Sequence, residues 1–294
     1  MKTPVFLGSS TAIVTPFRDG KVDYTKLAEL IDFQIAGDTA AITICWTTGE
    51  SSTMSLEEHV ATVDFCVKHV NSRVKVIAGT GSNDTQAALF LSQEAEKSGV
   101  DALLMVTPYY NKTSQRGLVK HFEFIADRVK SPIILYNVPG RTGLSFTTET
   151  YQELSKHPNI NGVKEASGSF KLIAATLAAC SEDLFFWSGN DEDTVPMMSI
   201  GAKGVISVMS NIIPAIVAQM ARFCLDGDFG QGAQLQLKYL DLIDRLFIEV
   251  NPMPIKAAMN LMGMDVGEPR MPLCDLAPDN LEKLKKSMAA VGLV

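Results

Sequence analysis

The sequence predicts a closed (β/α)8 barrel, the TIM barrel, with a C-terminal helical extension. Eight short runs rich in Val and Ile alternate with segments of helical period almost to residue 225. Each run is too short for an ordinary helix and ends in Gly, Pro, Ser, Thr or Asn. Strands apolar on both faces and separated by helices make a parallel sheet with right-handed crossovers, and eight regular units suit a closed barrel of about 250 residues. An open doubly wound sheet binding a dinucleotide would carry GxGxxG after its first strand, and none is there.

The eight runs are STAIVTPF, AAITICW, VKVIAGTG, DALLMVTPYY, SPIILYNVPG, INGVKEASG, LFFWSGN and KGVISVMSN. Helices are predicted between them. Asp23 caps one whose apolar face is Leu27, Leu30, Ile31 and Ile35, with Gly37 just beyond it. Ser55 and Glu58 have capping-box spacing ahead of Val60, Val63, Val67 and Val70. Asn83 and Gln86 open a third, which Gly99 stops, and the eighth begins between Asn211 and Pro214. The stretch DGDFGQG, 226–232, breaks the alternation, and the chain beyond it is helical with Pro-containing turns. The predicted division is therefore a barrel over 1–225 and a helical extension over 226–294.

Composition narrows the function class. With 46% hydrophobic and 20% charged residues, the 294-residue chain can bury a sizeable core. A net charge of −7 argues against broad attraction to nucleic acid or anionic membrane. Cys45, Cys66, Cys180, Cys224 and Cys274 are odd in number, far apart and form no CxxC, which suits a reducing cytoplasm. The uncharged stretch from Thr3 to Phe17 is broken by Pro4, by Gly8-Ser9-Ser10-Thr11 and by Pro16, unlike a signal peptide. The uncharged run over 204–221 contains a turn and a helix start, so it is not a membrane span. A soluble, cytoplasmic protein is expected, with neither nucleic acid nor membrane as partner.

In a parallel barrel, chemistry collects at the C-terminal ends of the strands. There the sequence places Thr47-Thr48-Gly49-Glu50-Ser51, then Tyr109-Tyr110-Asn111, then Tyr136 and Asn137 with Arg141 close behind, and Lys164. A lone strand-end lysine most often reaches solvent or pairs with a neighbour such as Glu165. An ordinary lysine has a pKa of about 10.4 and is almost wholly protonated at pH 7, whereas burial and a nearby cation free its amine to attack a carbonyl. A tyrosine at the next strand end can shuttle protons, and a guanidinium can clamp a carboxylate. Together these groups suit Schiff-base chemistry on an oxo acid.

TTGES, TPYYNK, YNVPGRTG and GVKEASG, in that order and at these strand ends, resemble the dihydrodipicolinate synthase (4-hydroxy-tetrahydrodipicolinate synthase) family. The resemblance spans nearly the whole chain. It lies within the pyruvate-dependent class I aldolases, to which N-acetylneuraminate lyase also belongs. The resemblance implies that Lys164 forms an imine with pyruvate, whose enamine then adds to the aldehyde of L-aspartate 4-semialdehyde. It implies a proton relay of Tyr136, Thr47 and Tyr110, with Tyr110 reaching in from a neighbouring subunit. Thr48 would help bind the pyruvate carboxylate and Arg141 the semialdehyde carboxylate, while Gly189 and Ile206 match positions lining the pocket. The implied assembly is a homotetramer of two tight dimers, with a dimer as the exception, and no metal or organic cofactor is implied.

Several positions depart from the family pattern. Trp46 stands where a small residue is usual, and Thr113 where proline is common. The lysine-effector positions of sensitive members correspond to Ser51, Leu56, His59, Asn83, Ala87 and Tyr109. Here Leu56 replaces a histidine and Ala87 a glutamate, so weak or absent inhibition by L-lysine is expected. AGTGSND is expected to be a turn and helix cap rather than a phosphate cradle, and Asp191, Glu192 and Asp193 to be first-turn acids rather than metal ligands. His59, His69, His121 and His157 are expected at surfaces or helix ends, and Met197 and Met198 in the core. Two other functions stay open: an aldolase cleaving a sugar acid such as N-acetylneuraminate or a 2-oxo-3-deoxy acid, and a non-catalytic barrel that binds an oxo acid.

Overall fold

In the computed structural model, which describes residues 2–180 and 183–294, eight parallel strands close into a barrel. They are β1 (Gly8–Ala12), β4 (Ala41–Ile44), β5 (Lys75–Gly79), β6 (Ala102–Val106), β7 (Ile133–Asn137), β8 (Ile160–Glu165), β9 (Phe185–Ser188) and β10 (Gly204–Ser207). Each sits within one of the eight predicted runs or overlaps it. The seam closes where β1 pairs with β4 on one side, Thr11 opposite Ile42, and with β10 on the other, Ser10 opposite Ile206. A small antiparallel hairpin, β2 (Phe17–Arg18) and β3 (Lys21–Val22), was not foreseen. It takes the end of the first apolar run, which leaves the barrel after Ala12, where the Asn211 amide accepts from the Val14 N–H and donates to the Ala12 carbonyl.

Period-two alternation separates two cores. Facing into the barrel are Ala12, Ala41, Ile77, Leu104, Ile134, Trp187 and Ile206 among others. The larger core lies between the barrel's outer face and the helices, from Leu27 and Ile31 through Phe122 and Tyr151 to Met197 and Met198. The helices α1 (Tyr24–Ala36), α2 (Leu56–Val70), α3 (Thr85–Ser98), α4 (Gln115–Ala126), α6 (Thr148–Ser155), α7 (Phe170–Cys180), α8 (Thr194–Ser199) and α9 (Pro214–Leu225) surround it, with the short α5 (Pro139–Thr142) at the mouth. Asp23 and Ser55 cap α1 and α2 by accepting from the Lys26 and Glu58 N–H groups. The capping box at α2 is only half made, because the Glu58 carboxylate pairs with Arg270 instead. The cap of α3 is Asp84 rather than Asn83, and it accepts from both the Gln86 and Ala87 N–H groups.

Four further helices complete the chain: α10 (Phe229–Lys238), α11 (Leu240–Arg245), α12 (Met253–Leu261) and α13 (Pro278–Ala290). The segment around α12 reaches back over the barrel mouth and is tied there. Lys256 donates to Glu50 at 2.7 Å, with both side chains almost fully buried. Arg270 grips Glu58 through two nitrogens at 2.6 and 2.7 Å, and both cations lie over the Phe17 ring. Among the described residues no helix is long and apolar enough to cross a membrane.

Candidate active site

The mouth of the barrel is built from β4, β7, β8 and the loops after them. Tyr136 and Lys164 are register partners on β7 and β8, so their side chains enter the barrel side by side. The Lys164 ammonium nitrogen lies 4.5 Å from the centre of the Tyr136 ring. Lys164 is only 3% exposed and Tyr136 5%. Their chain neighbours Asn137 and Glu165 point to the other face of the sheet. There the Glu165 carboxylate accepts from the Asn137 amide at 3.1 Å, the Tyr151 hydroxyl at 2.9 Å and the Ser167 N–H at 2.8 Å. This network pins the ends of both strands. It also disposes of the simple alternative in which Lys164 pairs with Glu165, since the pleat sends the two side chains apart.

Burial dominates the electrostatics. Desolvation brings the Lys164 amine down to about 7; the buried Asp191 carboxylate opposes that shift and Arg141 adds to it. A lysine so placed is about half unprotonated at neutral pH, against a few in ten thousand for an ordinary one. Burial also pushes the Tyr136 phenol up to about 12, with Arg141 opposing and Glu165 assisting. Tyr136 is therefore a neutral hydroxyl able to give or accept a proton, not a phenolate.

Around this pair the other expected site residues take different positions. Thr47 is half-buried and Thr48 buried in the loop after β4. Glu50, in the left-handed conformation with φ 54°, holds that loop by accepting from Lys256 and from the Arg270 N–H. The Thr48 hydroxyl accepts from the Asn251 amide at 3.0 Å, and Arg141 donates to the Asn251 carbonyl at 3.2 Å. Asn251 thus joins the two residues expected to hold carboxylates. Gly189 must lack a side chain, because a Cβ there would stand 3.1 Å from two carbons of Lys164 and 2.9 Å from Ala166. Ile206 lies fully buried on β10 in the barrel interior. Tyr110 alone is not brought to the site within this chain: it is 93% exposed and holds a left-handed φ of 67°.

A cleft of about 400 Å³ opens at this end, walled by Trp46, Thr47, Tyr109, Val138, Arg141 and Asn251 among others. The same cleft continues past Ser51, Leu56, His59 and Ala87.

Asp191 stands, as expected, in a first turn, that of the short 3-10 helix Asp191–Asp193, and it is buried there, its carboxylate accepting from the Val208 and Met209 N–H groups at 3.0 and 2.9 Å. The expectation for two histidines needs correction. His59 and His121 are buried rather than superficial, bonded to the Gly79 carbonyl and the Thr85 hydroxyl, and burial takes His121 down to about 4. Sequence reasoning also missed Asn251 and Lys256, whose partners lie 203 and 206 residues away, a distance at which no local pattern signals.

Comparison with known proteins places the chain in a family. The model of the Dihydrodipicolinate synthetase family matches residues 5–291. The 4-hydroxy-tetrahydrodipicolinate synthase of Acetivibrio thermocellus is 50% identical over 294 residues, covering 100% of both chains. The crystal structure of dihydrodipicolinate synthase from Aquifex aeolicus superposes with a TM-score of 0.96 at 42% identity, over 98% of this chain and 99% of that one. The chloride-inhibited dihydrodipicolinate synthase of Acinetobacter baumannii, solved complexed with pyruvate, gives 0.96 at 40% identity over 98% and 99%. With a family model matching almost end to end and a full-length relative at half identity, this chain belongs to the dihydrodipicolinate synthetase family.

Proposed function

We propose that the protein condenses pyruvate with L-aspartate 4-semialdehyde to form 4-hydroxy-tetrahydrodipicolinate, on the route to diaminopimelate and lysine. The observation that carries the reading is the buried Lys164 amine, poised near neutrality against the Tyr136 ring. Lys164 attacks the ketone carbon of pyruvate; Tyr136 and Thr47 move protons as water leaves, giving the imine. Loss of a methyl proton yields the enamine, with the imine nitrogen as electron sink, so the chemistry calls for neither metal nor organic cofactor. The enamine carbon adds to the aldehyde, the substrate's own amino group closes the ring onto the imine carbon, and Lys164 is released.

Thr48 holds the pyruvate carboxylate, and Arg141, exposed on α5 at the mouth, takes the semialdehyde carboxylate through its planar fork. Gly189 and Ile206 shape the floor. Tyr110 completes the relay in a neighbouring subunit of a homotetramer built from two tight dimers, or of a dimer. Its exposed, left-handed placement fits a side chain offered outward. Four buried free thiols suit a reducing cytoplasm. The test is turnover of pyruvate with L-aspartate 4-semialdehyde against N-acetylmannosamine. Product with the first and none with the second is expected; the reverse would return the protein to the sugar-acid aldolases.

A further inference from the structure

The second run ends on a feature that the imine chemistry leaves unused. Cys45, just past β4, is held at φ 54°, in the left-handed region that residues with side chains seldom occupy. The kink shifts the alternation by one. Thr43 faces into the barrel, where it bonds Ser10, and next to face inward is Trp46 rather than Cys45. The indole lies 5% exposed among the interior residues, its ring centre 5.7 Å from that of Tyr136 and its plane at 63° to it. Space for it comes from β5: a Cβ on Gly79 would overlap the indole Cε3 and the Cys45 carbonyl. The indole N–H has no hydrogen-bond partner, so nothing polar explains its burial. Trp46 also walls the open cleft, whereas Tyr136 and Lys164 do not. It therefore touches both the cleft and the buried Tyr136 ring.

We propose that Trp46 is a positioning residue for the imine chemistry, packing edge-on against Tyr136 so that its ring stays seated over the Lys164 amine and limiting the water that reaches both from the cleft side. The inference rests on the Schiff-base reading of Lys164. An edge-on aromatic pair is attractive beyond its buried area and favours one ring orientation. Desolvation is the largest influence on the amine, and a gap in the wall at Trp46 relieves it by admitting water. The other charged or titratable groups facing Lys164 are Tyr136 from β7, Arg141 from α5 and Asp191 from the loop after β9; of these, Arg141 lines the cleft together with Trp46.

The test is the rate of pyruvate-adduct formation, trapped with borohydride, as a function of pH in the wild type, Trp46→Gly, Trp46→Leu and Trp46→Phe. In Trp46→Gly the acid limb is expected to move up by about one pH unit, equivalent to about tenfold less free amine at a fixed lower pH. Trp46→Leu fills space but offers no aromatic edge; it is expected to shift the same way and serves where Trp46→Gly fails to fold. Trp46→Phe keeps the edge and is expected to bring the limb most of the way back. A folded Trp46→Gly or Trp46→Leu with an unmoved limb overturns the inference while leaving the Schiff base intact. A wild type that traps no pyruvate overturns both.

Discussion

The lowered pKa of the Lys164 amine comes from where the strand ends rather than from any single partner. Because the amine titrates near 7 and only its free form attacks, pyruvate kcat/KM is expected to fall as pH drops through about 7, approaching tenfold per unit below it. A limb near 10, the ordinary lysine value, would mean the amine is solvated. Arg141 acts on the same group from a distance. Its cation lowers the lysine pKa, so Arg141→Ala is expected to move the limb upward while raising KM for the semialdehyde about tenfold or more. An effect on KM alone would separate substrate binding from the tuning of the amine. Gly189 is the third residue with little freedom. Gly189→Ala would press a methyl group against Lys164 and Ala166, and adduct formation is expected to slow about tenfold, with a stability loss of about 1–3 kcal/mol because Ala166 must shift.

The loop after β4 shows how elements far apart in sequence make one site. Glu50 is bonded to Lys256 and to the Arg270 N–H, and Thr48 to Asn251, so the α12 region fixes the threonines from above. Removing one partner of a buried pair strands the other charge. Lys256→Met is expected to cost about 3–5 kcal/mol in urea unfolding, and Glu50→Gln with Lys256→Met to recover much of it. Equal losses in the single and double variants would show that packing, not charge, is at stake. This docking could not be read from the sequence, where Glu50 looked like one more polar residue after a strand. The strands were legible because burial on both faces concentrates Val and Ile into short runs. Caps with local partners, Asp23 and Ser55, were legible too, whereas Asn83 and Asp84 are adjacent cap formers that only the backbone's course distinguishes. His59 and His121 were misjudged because their partners, the Gly79 carbonyl and the Thr85 hydroxyl, are supplied by other elements.

At the scale of the whole molecule, the chemistry-bearing residues of the site were legible as fragments at successive strand ends, because a parallel barrel gathers all those ends at one mouth. What one chain leaves open is Tyr110, 93% exposed. If its hydroxyl serves a neighbour, dilution to monomers is expected to abolish activity, and Tyr110→Phe to lower kcat without unfolding the subunit. Undiminished activity in a monomer would place the whole relay within one chain. The cleft continues past Leu56 and Ala87, neither of which offers a charge to an amino-acid effector, so millimolar L-lysine is expected to leave activity nearly unchanged. Inhibition of several-fold would mean that other groups bind the ammonium. The central claim is the covalent role of Lys164, and its most direct test is mass spectrometry after borohydride reduction in the presence of pyruvate. One pyruvate-sized adduct per chain, mapped to Lys164 and absent from Lys164→Ala, is the expected result. No adduct in the wild type, or one mapped to another lysine, would contradict it.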